Sequence, residues 1–226
     1  MIAVSEPILG ADEKAALLDV IDSGWITMGE RVREFEQTFA EVHGATESIA
    51  LSSCTAGIHL ILHALGIGPG DEVLVPSLTF VATVNSVLYT GASPVFVDIA
   101  STELPLMCFD DAAAKCTKRT RAVIVVHYAG YLANQKLWQD FARDNGLLLI
   151  EDAAHSAGVR ESGSWGVAAA FSFYGNKNMT TAEGGAVIAS DEVLRGRIRQ
   201  MRGHGLTAGT FQRHLSATPG YDVTLL

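Results

Sequence analysis

Three stretches of this sequence set reactive side chains directly after short apolar runs, where the strands of an open sheet end and ligands bind. The first is Phe171-Ser172-Phe173-Tyr174-Gly175-Asn176-Lys177-Asn178-Met179-Thr180-Thr181-Ala182-Glu183-Gly184-Gly185. Its lysine carries a flexible primary amine that becomes a nucleophile when the ammonium form is disfavoured. Most lysines are merely solvated; the flanking Phe171-Ser172-Phe173 and Glu183-Gly184-Gly185 favour a placed one. In Ile150-Glu151-Asp152-Ala153-Ala154-His155, a carboxylate ends an apolar run, where burial is costly unless a cation faces it. A capping role, or an ion pair with an arginine elsewhere, is the competing account of Asp152. In Leu51-Ser52-Ser53-Cys54-Thr55-Ala56-Gly57, a strand passes through small residues into a helix whose free amides and positive end can hold a phosphate, with the Thr55 hydroxyl beside them. An ordinary turn capped by Ser or Thr explains the same pattern.

The elements that must position these groups read as α/β. Apolar spacing predicts amphipathic helices over 11–23 and 30–42, ahead of short buried strands at 49–51, 72–75, 94–97, 122–126 and 147–150. Helical stretches at 57–65 and 136–143 separate these strands, and apolar segments at 168–173 and 186–189 extend the sheet. A basic helix over 191–202 follows. Turns are marked by Gly68-Pro69-Gly70-Asp71 and Asp144-Asn145-Gly146. The alternation predicts a mostly parallel sheet sandwiched by helices, with N-terminal helices in 1–45, a sheet-and-helix core in 46–203 and a further segment over 204–226.

Composition narrows the function classes. The 226 residues are 48% hydrophobic and 18% charged, enough to bury a large core. A formal net charge of -9 argues against nucleic-acid binding. The cysteines Cys54, Cys108 and Cys116 form neither a disulfide framework nor a CxxC metal site, so no metal is expected and a reducing cytoplasm fits. No signal-like start or spanning apolar run is present, so no membrane partner is expected.

Together, FSFYGNKNMTTAEGG, EDAAHSAG and SSCTAGIHLILHALGIGPGDEVLVPSLTFVATVNSVLYTGASPVFVDI resemble the DegT/DnrJ/EryC1/StrS sugar aminotransferases, pyridoxal-phosphate enzymes of fold type I. The opening SGWITMGERVREFEQTFAEVHG is similar to that family's start. The resemblance implies that Lys177 is the Schiff-base lysine, that Asp152 pairs with the cofactor's pyridine nitrogen and that Phe80 stacks on its ring. Thr55 and Ala56 amides with the Ser172 hydroxyl would hold the phosphate, and His155 would lie beside the ring, a satisfied interior histidine being the competing account. Trp25 and Glu183 would face substrate, although Trp25 equally fits surface packing and Glu183 loop folding. His127 and His204 read as structural, and Cys54 is given no chemistry.

The same resemblance implies an amino group moved from an amino acid, usually glutamate, to a nucleotide-linked keto sugar by a homodimer. A lysine at 177 favours amine transfer over the deoxygenation run by a family branch with histidine there. Because family members are longer, residues 1–226 are expected to be the cofactor-binding large domain without the C-terminal small domain, with 204–226 incomplete, with weakened cofactor retention and with poor or no turnover. Rival readings are another fold type I enzyme acting on an amino acid, a non-catalytic family member, and a dinucleotide-binding domain, against which the absent GxGxxG argues.

Overall fold

A computed structural model describes residues 5–206 of the chain. Residues 207–226, most of the segment expected to be incomplete, lie outside the described residues. A seven-stranded sheet runs in the order β1-β7-β6-β5-β4-β2-β3, built from Ser48–Leu51 (β1), Glu72–Pro76 (β2), Ser93–Val97 (β3), Thr120–Val126 (β4), Leu148–Asp152 (β5), Ala168–Ser172 (β6) and Gly185–Ala189 (β7). The pairs joining β3, β2, β4, β5 and β6 are parallel, whereas β7 runs antiparallel to both β6 and β1. Helices α1 (Ala11–Ser23), α2 (Glu30–Val42), α3 (Cys54–Ala64), α4 (Val81–Tyr89), α5 (Phe109–Lys115), α6 (Gln135–Asn145) and α7 (Glu192–Arg202) accompany it.

Alternation along each strand feeds two cores. From β4, Ala122 and Ile124 pack with Ile58, Ile61 and Leu62 of α3, Val87 of α4, and Leu194 and Ile198 of α7. Their neighbours Val123 and Val125 point the other way, onto Trp138 and Phe141 of α6. On that second face, Phe39 of α2 meets Phe171 and Phe173 edge-on at 5.0 and 5.3 Å, contacts that each add about 1 kcal/mol beyond area burial. Strands buried on both faces carry no polar alternation, which is why they read in the sequence as unbroken apolar runs.

The expected α/β architecture, mostly parallel and covered on both faces, is the observed one. Differences lie at the edges of elements. Strand β5 runs on to Asp152, so the carboxylate belongs to the sheet's last rung, opposite Val126 of β4 and Ala170 of β6. Two helices, α4 and α5, had no counterpart among the expected ones. Register aligns the working ends: Ser172 pairs with Gly185, which pairs with Leu51, so β6 and β1 finish level with each other on either side of β7. At Gly185 no side chain fits, because a Cβ would run into the Ser53 carbonyl carbon. That close approach sets the start of α3 against the β6 end.

Candidate active site

Asp152 is the centre of a donor cradle. It is buried at the end of β5, and its Oδ2 accepts the Thr83 hydroxyl at 2.6 Å. Oδ1 accepts the Ala154 amide at 3.2 Å and faces the Cys54 thiol at 3.8 Å. Among the described residues the carboxylate has no cationic partner within ion-pairing distance, so the arginine pairing left open by the sequence is not made. Burial, then the neighbouring Asp152 charge, pushes the Cys54 thiol well up, leaving it protonated, its one S–H shared between Ala170 O at 3.4 Å and that carboxylate.

Lys177 lies in the loop 173–184 that joins β6 to β7, and that loop is built to hold it. Phe173 N–H donates to Gly184 O at 2.9 Å, and Thr181 N–H returns to Phe173 O at 2.9 Å, closing the base of the loop. Asn178 Nδ2 donates to Ala157 O, tying the segment beside Lys177 to the chain that follows β5. The Lys177 amine itself has no hydrogen-bond partner among the described residues. Its pKa is lowered chiefly by burial, opposed by the charge of the neighbouring Asp152. Half-buried, unbonded and depressed in pKa, it is disposed as a nucleophile.

A cleft of about 240 Å³ opens between these loops, lined by Ala129, His155, Asn176, Lys177 and Asn178. His155 Nδ1 accepts the Ala129 N–H at 3.0 Å, which assigns the ring proton to Nε2 and keeps the imidazole neutral. Burial lowers its pKa, and Lys177 lowers it further against the pull of Asp152. Ala129 reaches this bond with φ of 53°, a left-handed conformation costing an L-residue roughly 1 kcal/mol.

At the α3 start, Ser53 caps the helix by accepting the Ala56 N–H at 3.1 Å. The Ala56 amide is thus already engaged, while the Cys54 and Thr55 amides have no acceptor among the described residues. Ser172 ends β6 on the same side of the sheet, where its hydroxyl accepts the Tyr174 N–H at 3.4 Å. Phe80 stands 73% exposed at the N-cap of α4, where its carbonyl accepts the Thr83 N–H at 3.1 Å. Trp25 lies in the turn between α1 and α2, where its indole N–H donates to Met28 O at 3.2 Å. Glu183 is exposed at the far end of the lysine loop, its carbonyl accepting the Thr181 hydroxyl.

Sequence reasoning overlooked Thr83 and Glu151. Thr79 and Thr83 stand four apart after β2, a helical spacing that could have marked them. Glu151 is fully buried on the opposite face from Asp152, accepting Gly163 N–H and Trp165 N–H at 2.8 Å each and facing His127 Nε2 at 3.0 Å. His127 is buried there, in keeping with its structural reading. His204 follows α7, away from these groups in sequence, with φ of 64°.

Residues 7–225 match the model of the DegT/DnrJ/EryC1/StrS aminotransferase family. The chain belongs to this family. Among solved aminotransferases of similar structure, the PLP form of the putative sugar aminotransferase Spr1654 from Streptococcus pneumoniae superposes with a TM-score of 0.87 at 28% identity, covering 99% of this chain and 61% of that one. PseC of Helicobacter pylori, an aminotransferase involved in the biosynthesis of pseudoaminic acid, gives 0.88 at 28% identity over 99% of this chain and 60% of its own. DesI, solved in the presence of its TDP-sugar product, gives 0.78 at 38% identity over 85% and 50%. The chain therefore spans about half to three-fifths of the length of these aminotransferases. The fold, down to its mixed sheet, is that of the DegT/DnrJ/EryC1/StrS aminotransferases.

Proposed function

We propose that this chain is the cofactor-binding large domain, residues 1–226, of a pyridoxal-phosphate aminotransferase that moves an amino group from an amino acid, glutamate by family resemblance, to a nucleotide-linked keto sugar. The observation that carries this reading is the pairing of an unbonded, half-buried Lys177 with a donor-cradled Asp152 that has no cationic partner among the described residues.

The donor set fits the cofactor. Lys177 would hold its aldehyde carbon, Asp152 its ring nitrogen and Phe80 a ring face, with His155 alongside. The amides of Thr55 and Cys54, the Thr55 hydroxyl and Ser172 Oγ would take its phosphate, and the Ala56 amide would join them where it exchanges Ser53 Oγ for the anion. When bound, pyridoxal phosphate supplies an electron sink for the carbon that loses its proton.

The chain's own side chains do the remaining work. Asp152, a carboxylate ringed by donors, keeps a proton on the group it faces. Lys177, its ammonium form disfavoured by burial, releases and regains a proton at Nζ and is the general base and acid of the site. Neutral His155 presents Nε2–H as a donor into the cleft. Trp25 and Glu183 are assigned, on resemblance, to the sugar side.

Support for the substrate class comes from relatives such as DesI with its TDP-sugar. A homodimer in the cytoplasm is part of the same reading; among the described residues no helix is long and apolar enough to cross a membrane, and the cysteines are free. The test is to incubate the chain with pyridoxal phosphate, reduce with borohydride and locate the pyridoxyl group by peptide mass spectrometry. Label on Lys177 is the expected result, and amine transfer to a nucleotide-linked keto sugar, however slow, would support the substrate class. Label elsewhere would remove the cofactor assignment, and label without transfer would favour a non-catalytic family member.

A further inference from the structure

We infer that Thr83 is a positioning residue for Asp152, acting through a relay of hydroxyls that begins at Thr79. The inference rests on the cofactor reading above. Thr83 is fully buried in the first turn of α4, and its Oγ1 lies 2.6 Å from Asp152 Oδ2 and 2.8 Å from Thr79 Oγ1. A carboxylate only accepts, so the single Thr83 hydroxyl proton points to Asp152. The Thr83 oxygen must then accept from Thr79, which fixes the direction of the chain: Thr79 donates to Thr83, and Thr83 to Asp152. A hydroxyl bond polarised in this way is stronger than an isolated one.

The consequence lies in the basicity and aim of Asp152. Its Oδ1 is served by the Ala154 amide, with the Cys54 thiol 3.8 Å away and shared with Ala170 O, and Oδ2 by Thr83 alone among the described residues. Stripped of the Thr83 bond, Oδ2 becomes more basic and free to rotate, so a proton shared with a facing ring nitrogen moves towards the carboxylate. A less cationic ring withdraws fewer electrons, and the nitrogen joining Lys177 to the cofactor then keeps its proton to higher pH. The titratable groups coupled to Asp152 are Cys54 from α3, His155 from the segment after β5 and Lys177 from the loop after β6. Burial holds Cys54 protonated and His155 neutral, so neither masks the change.

The experiment titrates the visible absorption of the cofactor bound to the full chain, in the wild type and in Thr83→Val, Thr83→Ser and Thr79→Val. Thr83→Val is expected to raise the pH midpoint by about one unit and to weaken the dissociation constant for pyridoxal phosphate about tenfold, the size of a lost charge-assisted bond. Thr83→Ser restores both. Thr79→Val, which removes the relay's first donor from a half-buried loop position, moves the midpoint the same way by less, and it decides the matter should Thr83→Val fail to fold. A wild-type midpoint in Thr83→Val, or in Thr79→Val if only that variant folds, overturns the inference. A Thr83→Ser midpoint displaced like that of Thr83→Val does so too. Borohydride labelling of Lys177 separates the two levels: label retained with an unmoved midpoint sinks the role of Thr83 alone, while no label on the wild type sinks the cofactor reading beneath it.

Discussion

Lys177 and Asp152 are legible in the sequence because each breaks a local expectation: a lysine amid Asn, Thr and Gly after an aromatic strand, and an acid ending an apolar one. Their partners are not. Thr83 is one of several threonines in an apolar stretch, and its value comes from a contact 69 residues distant in sequence. Glu151 adjoins Asp152, yet strand alternation sends it to the other face, where it pins Gly163 and Trp165. Replacing Asp152 by Asn tests the division of labour. The amide's oxygen can still accept from Ala154 N–H, so the cofactor-free protein should unfold near the wild-type temperature. Without the negative charge, the dissociation constant for pyridoxal phosphate should rise roughly a hundredfold. Fluorescence titration and a thermal scan read the two effects, and equal cofactor affinity in the variant would show that Asp152 faces no cationic nitrogen.

At the scale of elements, the periodicity of α2, α6 and α7 is readable because each buries one stripe, whereas α4 hides in a uniformly apolar run and α5 is short. The segment between β5 and β6 cannot be read from its own residues, since its order comes from distant partners. One of them is His43 after α2, whose Nδ1–H donates to Ser162 O at 3.0 Å while Nε2 accepts Gly158 N–H at 3.1 Å. The bond from Gly158 requires the neutral ring, and burial, only partly offset by Ser162 and Glu151, lowers its pKa below the ordinary 6.5. A histidine whose folded pKa is depressed binds its proton more readily when unfolded, so its contribution is complete above 6.5 and is lost as pH falls below that value. The loss is at most about 1.4 kcal/mol per pH unit for one such group. Urea unfolding at pH 7.5 and pH 5.5 should therefore show a fall that His43→Gln reduces, since glutamine can donate and accept at this site but cannot charge. An unaltered pH slope in that variant would assign the effect to another group.

For the whole molecule, the parallel body of the sheet follows from alternating strand and helix signals, but the antiparallel insertion of β7 between β6 and β1 does not. Periodicity reports burial and says nothing of strand direction. That insertion brings Leu51, Gly185 and Ser172 onto adjacent strand ends and so places the α3 start beside the β6 end. The same frame leaves α1 with no buried residue, and its Leu18 and Ile21 are 58% and 63% exposed. Apolar residues at this spacing, matched by exposed Leu17 on the same helix and Ile8 and Leu9 before it, form a face that water solvates at a cost. If a second copy covers that face in the proposed homodimer, light scattering should give twice the chain mass for the wild type. A double replacement, Leu18→Glu with Ile21→Glu, should bring it to the monomer mass, because each carboxylate would have to be desolvated in the contact. The substituted residues are already exposed, so circular dichroism should be unchanged. A dimer that survives the double replacement would place its interface elsewhere, and a monomeric wild type would remove the homodimer from the proposed function.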